Sequence, residues 1–264
     1  MIDLKNNMIM KTGLLKALPA LALLAAAQIQ ARQTVYDAGP FDRLSQSGDI
    51  DIVYRSVPDS TGMVVYDSDR DFSDAIEITN NDGRLSIREV SGHGLEELPV
   101  LRVYSDYLSD IKSEGDATIE AFITAATPTL SVRLVGNGSI ICDGVRSPKA
   151  KAAITTGNGS IVMRGKCTEA RFELTGTGVI QADELEAESV KCLALGTGSI
   201  GCWPERALDV RGIGTTKIYY RGDPRIKKVG GARLWQIKAA DITDSALPDS
   251  DEPDIDDDDE YQED

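Results

Sequence analysis

Apolar residues alternate with polar ones in two short runs, the runs are parted by Gly-x-Gly, and the whole unit then recurs. "VGNGSIIC" (135–142), "TGNGSIVM" (156–163), "TGTGVIQA" (175–182), "LGTGSIGC" (195–202) and "RGIGTTKI" (211–218) are its copies. Their first glycines, Gly136, Gly157, Gly176, Gly196 and Gly212, are 21, 19, 20 and 16 residues apart. A repeat near 20 residues is the mark of a solenoid, in which each unit buries its apolar face only by stacking on its neighbours.

Numbering from the first glycine aligns the copies into columns. Four before stand Val132, Ala153, Phe172, Cys192 and Leu208, and two before stand Leu134, Thr155, Leu174, Ala194 and Val210. Four after stand Ile140, Ile161, Ile180, Ile200 and Thr216, and six after stand Cys142, Met163, Ala182, Cys202 and Ile218. These mostly apolar columns are spaced by two, the period of a strand with one buried face. Each unit is therefore strand, corner, strand. The glycines give the corner access to positive φ, and Asn137 and Asn158 fall in register to form a short side-chain ladder. A phosphate-cradling loop needs a helix after the glycines, whereas a β-branched strand follows here.

The pattern weakens toward the N-terminus. Ile111 and Ile119 flank Gly115, and Leu44 and Ile52 flank Gly48, at the same offsets. "AIEITNNDGRLSIREV" (75–90) reads as a β-hairpin turning at Asn81-Asp82-Gly83, and "LPVLRVYSDYLSDI" (98–111) supplies one more strand. The expected fold is all-β: a parallel β-solenoid, read as a right-handed β-helix, of five to seven coils over residues 34–240. Antiparallel hairpin elements cap its N-terminal end, since an uncapped first coil exposes an unpaired edge. "RIKKVGGARLWQI" (225–237) is expected to cover the last coil with Val229, Leu234, Trp235 and Ile237.

The two ends of the chain read differently. Residues 1–31 have the form of a signal peptide: Lys5, Lys11 and Lys16, a short apolar core at 14–27, and a small residue, Ala31, suited to cleavage. Met10 is an alternative start. That core is too short to span a bilayer, so the mature chain is expected to have no transmembrane span. Residues 241–264 form an acidic tail, read as disordered. Its last sixteen residues hold eleven acids and one aliphatic residue, and without them the net charge of −15 falls to −4. Cation binding or docking to a partner is the functional alternative for this tail. No basic footprint for nucleic acid is present.

Candidate chemistry is sparse. Seven after the glycine stand Asp143, Arg164, Asp183 and Trp203 on one outward column. Asp143 and Asp183, two coils apart at about 9–10 Å, fall near the separation of inverting glycosidase carboxylates. Arg164 between them would hold both ionised, as in a charge ladder, while a general acid needs a raised pKa. Trp203 with Tyr219 offers an aromatic contact for a sugar ring or a protein. His93, the only histidine, lies in a glycine-flanked loop with no second histidine to bind metal. Cys142, Cys192 and Cys202 fall on inward columns, as apolar thiols, with Cys192–Cys202 the one bridge worth testing. Neither a metal site nor a cofactor is expected.

"FDRLSQSGDIDIVY" (41–54), "NDGRLSI" (81–87), the Gly-x-Gly copies and "KIYYRGDPRIKKVGG" (217–231), with Tyr220, Gly222 and Pro224, resemble the auto-transporter adhesin, head GIN domain family. The resemblance runs from about Val35 to Ile237. It implies an exported bacterial β-helical protein, periplasmic, outer-membrane associated or secreted, with no established enzyme activity; the acidic tail departs from it. Two functions remain open. One is an adhesin-like binding or structural module meeting an envelope protein or glycan. The other is a carbohydrate-active β-helix enzyme using the outward carboxylates. Repeats of 19–21 residues leave little room for the long loops that line an enzyme groove.

Overall fold

The computed structural model describes residues 32–68, 70–90 and 98–237. The signal-peptide reading, His93 and the acidic tail lie outside the described residues.

The chain begins with β1 (Arg32–Asp37), β2 (Arg43–Ser47), β3 (Ile52–Ser56), β4 (Met63–Ser68), β5 (Ile76–Asn81), β6 (Arg84–Glu89) and β7 (Leu101–Ser105). It continues through β8 (Asp110–Glu114), β9 (Thr118–Phe122), β10 (Thr129–Val135), β11 (Ser139–Thr156), β12 (Ser160–Leu174), β13 (Val179–Ala194) and β14 (Ser199–Gly212). It closes with β15 (Lys217–Tyr220), β16 (Arg225–Gly230) and β17 (Arg233–Gln236). The long strands β11–β14 bend within each coil, so one strand serves both arms. The result is a parallel β-solenoid of about six turns.

Two parallel ladders run the length of the stack. In one arm β6, β2, β8, β10, the later halves of β11–β14, and β16 lie side by side. In the other arm the order is β7, β3, β9, the earlier halves of β11–β14, β15 and β17. Ile140, Ile161, Ile180 and Ile200 form the expected column, extended by Ile119 before them and by Ile218 and Leu234 after. The isoleucines of this column are fully buried.

Three column assignments change. In the 21-residue coil a bulge at the end of β10 pairs Leu134 with Ile154 and Val135 with Thr156. Ile154 therefore faces inward, while Thr155, expected in the core, is exposed. Ala152 rather than Ala153 pairs with Val132. The fifth copy is offset by two, so that Val210 pairs with Cys192, Leu208 with Val190 and Ile218 with Ile200. Gly214, not Gly212, stands over the corner at Gly196.

The glycine corners stack closely. Gly157 has φ +92°, and a Cβ there would lie 2.1 Å from the Gly136 carbonyl oxygen. Gly196 needs no positive φ, but its Cβ would lie 1.8 Å from the Gly176 oxygen. Close approach is thus the shared constraint, and left-handed backbone an addition at Gly136, Gly157 and Gly214. The asparagine ladder forms: the Asn158 amide donates to Asn137 Oδ1 at 3.1 Å, and Asn137 Nδ2 to Asp116 Oδ1 at 3.0 Å.

At the N-terminal end the stack leaves chain order. β2 pairs with both β6 and β8, and β3 with both β7 and β9, so the first coil in sequence lies second in the stack. Antiparallel strands cover this end: β5 pairs with β6, β4 with β7, and β1 with β4. The hairpin turns at Asp82 and Gly83, both at positive φ. The C-terminal end differs. Residues 225–237 cover β14 and β15 as a further coil, with Leu234 on the core column as expected and Val229 and Trp235 facing outward. Among the described residues no helix is long and apolar enough to cross a membrane, which says nothing of strands.

Candidate functional site: an aromatic end to an outward column

Register makes columns on the outer face as well as inside. On the arm that ends in β17, one outward column runs Ile141, Val162, Gln181, Gly201, Tyr219 and Trp235. Its last two members stack, ring centroids 5.8 Å apart and planes inclined by 29°. Trp235 is 40% exposed, so the stack presents aromatic surface on the terminal rung. The sequence reading paired Tyr219 with Trp203 and put Trp235 in the core. The signal it passed over is the two-residue period, which places Trp235 beside Leu234 but on the opposite face.

Trp203 lies one column away. The Arg221 guanidinium sits 5.9 Å from its ring centroid and donates to Asp183 at 2.8 Å. Asp183, Arg221 and Trp203 are each half-buried, and Arg221 Nε has no partner. Gly201 makes room for this cluster, since a Cβ there would meet Asp183 at 3.2 Å. A cation–π contact of this kind packs the guanidinium against one face of Trp203.

The charge ladder forms with one changed member. Arg164 donates to Asp143 at 2.8 Å and to Glu184, not Asp183, at 2.7 Å. A register shift between Val162 and Arg164 sets Arg164 opposite Glu184 and frees Asp183 for Arg221. Hydrogen bonds from Arg164 to Asp143, and then to Glu184, raise the guanidinium pKa against the opposing effect of burial. On the other arm, burial pushes Glu173 up, but hydrogen bonds from Lys151 and Arg171 outweigh it and hold the carboxyl below its usual range.

One carboxylate behaves differently. A hydrogen bond with Glu186 raises Glu205, while the Lys166 ammonium lowers Glu186. The pair lies open to water and lacks the exclusion of solvent that acid catalysis at a sugar bond uses.

All four cysteines are free and buried. Burial pushes the Cys142 and Cys167 thiols up to about 12. Cys202 is raised by a hydrogen bond with Cys192 and by burial, so the two thiols considered for a bridge are neighbours in reduced form. A surface cleft of about 330 Å³ lies on the charged arm, among Arg171, Lys191, Leu193, Asp209 and Arg211.

The described residues thus form a filled, parallel β-solenoid with a laddered outer face and an aromatic terminal rung. Residues 40–224 match the family model described as "Putative auto-transporter adhesin, head GIN domain", and the chain belongs to that family. Solved structures share the fold. A putative adhesin of Bacteroides fragilis is 21% identical with a TM-score of 0.69, covering 79% of this chain and 98% of its own. A putative adhesin of Parabacteroides merdae is 18% identical with a TM-score of 0.64, covering 80% and 98%. A putative lipid binding protein of Parabacteroides distasonis is 19% identical with a TM-score of 0.62, again covering 80% and 98%. No curated protein matches the chain.

Proposed function

We propose that the chain is an exported, non-enzymatic binding module that meets an envelope glycan on the Tyr219–Trp235 platform, with Trp203, Arg221 and Asp183 at its margin. The exposed aromatic stack carries this reading. Flat aromatic surface beside fixed donors and acceptors suits the apolar face and hydroxyl rim of a sugar. A surface platform is favoured over a lipid cavity because the core is filled, from Leu44 through Phe172 to Ile218, by one continuous cluster of buried side chains. Adhesin names among the relatives, and the signal-like residues 1–31, support an exported location.

The non-enzymatic part rests on the ion pairs. Asp143 and Glu184 are held by Arg164, which suits a structural ladder and opposes general acid chemistry. The test is glycan binding to the full chain by array, followed by tryptophan-fluorescence titration of the best glycan. Trp235→Ala is expected to weaken binding by about 2 kcal/mol, roughly thirtyfold, with the fold intact by circular dichroism. Unchanged binding in both Trp235→Ala and Tyr219→Ala sinks the platform. Cleavage of a polysaccharide, lost in Glu205→Gln or Asp183→Asn, makes the protein an enzyme instead.

A further inference from the structure

The two ends of the solenoid are unlike. Strands β4 and β5 cover the N-terminal rung, whereas β16 and β17 have no strand beyond them among the described residues. Every residue of β16 is exposed, including Ile226 at 44% and Val229 at 57%. An open parallel rung offers a row of backbone donors and acceptors with apolar side chains beside them, which is a hazard unless something occupies it.

Charge narrows the choice of occupant. Between residues 213 and 237 stand Lys217, Arg221, Arg225, Lys227, Lys228 and Arg233 against a single acid, Asp223. Arg221 is taken by Asp183, but among the described residues Arg225, Lys227 and Lys228 have no carboxylate partner. Lys228 even stands in the core ladder, paired with Val210. Antiparallel pairing of β16 with its copy in a second molecule would set Lys227 and Lys228 against one another, and like charges opposite are destabilising. An acidic occupant is favoured.

Such a segment follows directly in the chain. The Ile237 amide still donates to the Tyr220 carbonyl on the rung beneath, so the chain leaves the last described rung at the open end itself. Residues 238–248 reach up to about 36–40 Å, against about 20 Å for the length of β16. Beyond them residues 249–264 carry eleven acids, and Ile242, Leu247 and Ile255 are apolar residues to set near Ile226 and Val229.

We infer that the acidic segment 249–264 docks on the open end of its own solenoid, over Arg225, Lys227 and Lys228, and shields the terminal rung. The contact is mainly electrostatic, because aspartate-rich chain forms strands poorly. It lies over β16, beside the β17 rung that carries Trp235, so the tail competes with any anionic partner arriving at the basic residues.

Zero-length carbodiimide cross-linking, which joins carboxylates to lysines in direct contact, tests this on the full 264-residue chain. Equal amounts of unlabelled and ¹⁵N-labelled chain are mixed first, so that links within one molecule are told from links between two. The expected products join Lys227 or Lys228 to acids of 249–264 within one molecule. They are lost at about 0.5 M salt, where the screening length is about 4 Å. Their yield also falls in Arg225→Glu, which leaves both reactive lysines in place. Should that variant misfold, neutralising the tail at Asp256, Asp257, Asp258 and Asp259 to Asn must lower the links made by the remaining tail acids without touching the coils. Links equally frequent at the distant, exposed Lys149 overturn the inference, and so do links mainly between labelled and unlabelled molecules. Neither outcome bears on glycan binding at Trp235, which is measured separately.

Discussion

Individual side chains on this surface act mostly in ladders, and their energies are set by which neighbour the register supplies. Arg164 lies between Asp143 and Glu184 on a half-exposed face, so the two ion pairs are each worth at most about 1 kcal/mol. Glu173 is more enclosed, its side chain 22% exposed, and is held ionised by Lys151 and Arg171. Its carboxyl is lowered relative to the unfolded chain, so the stability it contributes is present above the unfolded value, about 4.3, and lost as pH falls through the folded value. Thermal unfolding followed from about pH 5 to pH 3 should therefore fall more steeply in the native protein than in Glu173→Gln. Equal slopes would show that the ion pairs on Glu173 do not persist in solution. The buried thiols mark the opposite case: desolvation, joined at Cys142 by the charge of Asp143, keeps Cys142 and Cys167 protonated and inert.

Within an element, the register between strands decides which residues reach the core. The bulge that ends β10 absorbs the extra residue of the 21-residue coil and exchanges the places of Ile154 and Thr155. Ile154→Asp puts a charge into a column that is 1% exposed and should cost more than about 3 kcal/mol, enough to abolish folding in expression tests. Thr155→Asp, one residue on, should change stability by no more than about 0.5 kcal/mol in denaturant titration. The reverse ranking would mean the bulge is misplaced. The glycine corners obey the same logic. Copies about 20 residues apart recur because each corner lies against the carbonyl of the one before it, leaving no space for a Cβ at Gly157 or Gly196.

For the whole molecule, the unequal ends matter most. Rungs β16 and β17 complete the stack over β14 and β15, covering Leu208, Val210 and Ile218. A chain stopped before Arg225 should lose that cover, expose the Ile218 rung and aggregate, as read by light scattering during expression and refolding. A monomeric, cooperatively folded truncation would show that the last coil is an appendage. The same terminal rung presents Trp235 and the basic edge together, which is why the proposed glycan platform and the proposed tail contact both lie at this end.

The period-two columns, the glycine spacing and the Asn81-Asp82-Gly83 turn were enough, from sequence alone, to establish stacked coils with an antiparallel N-terminal cap. These signals are local: alternation reports which face is buried, and glycine marks where a side chain cannot fit. The charge of the tail was equally legible. Tertiary structure alone decided where each column truly runs, because a one-residue slip turns a strand over and only the neighbouring coil selects the register. So Glu184 replaced Asp183 beside Arg164, Thr155 left the core, and Val210 rather than Leu208 joined Cys192. Stacking also placed the first coil second and turned Trp235 outward onto Tyr219. Ile52 and Leu234, 182 positions apart in sequence, share one column, and no local pattern carries that information; it is set by which backbone edge is free to pair when each coil arrives.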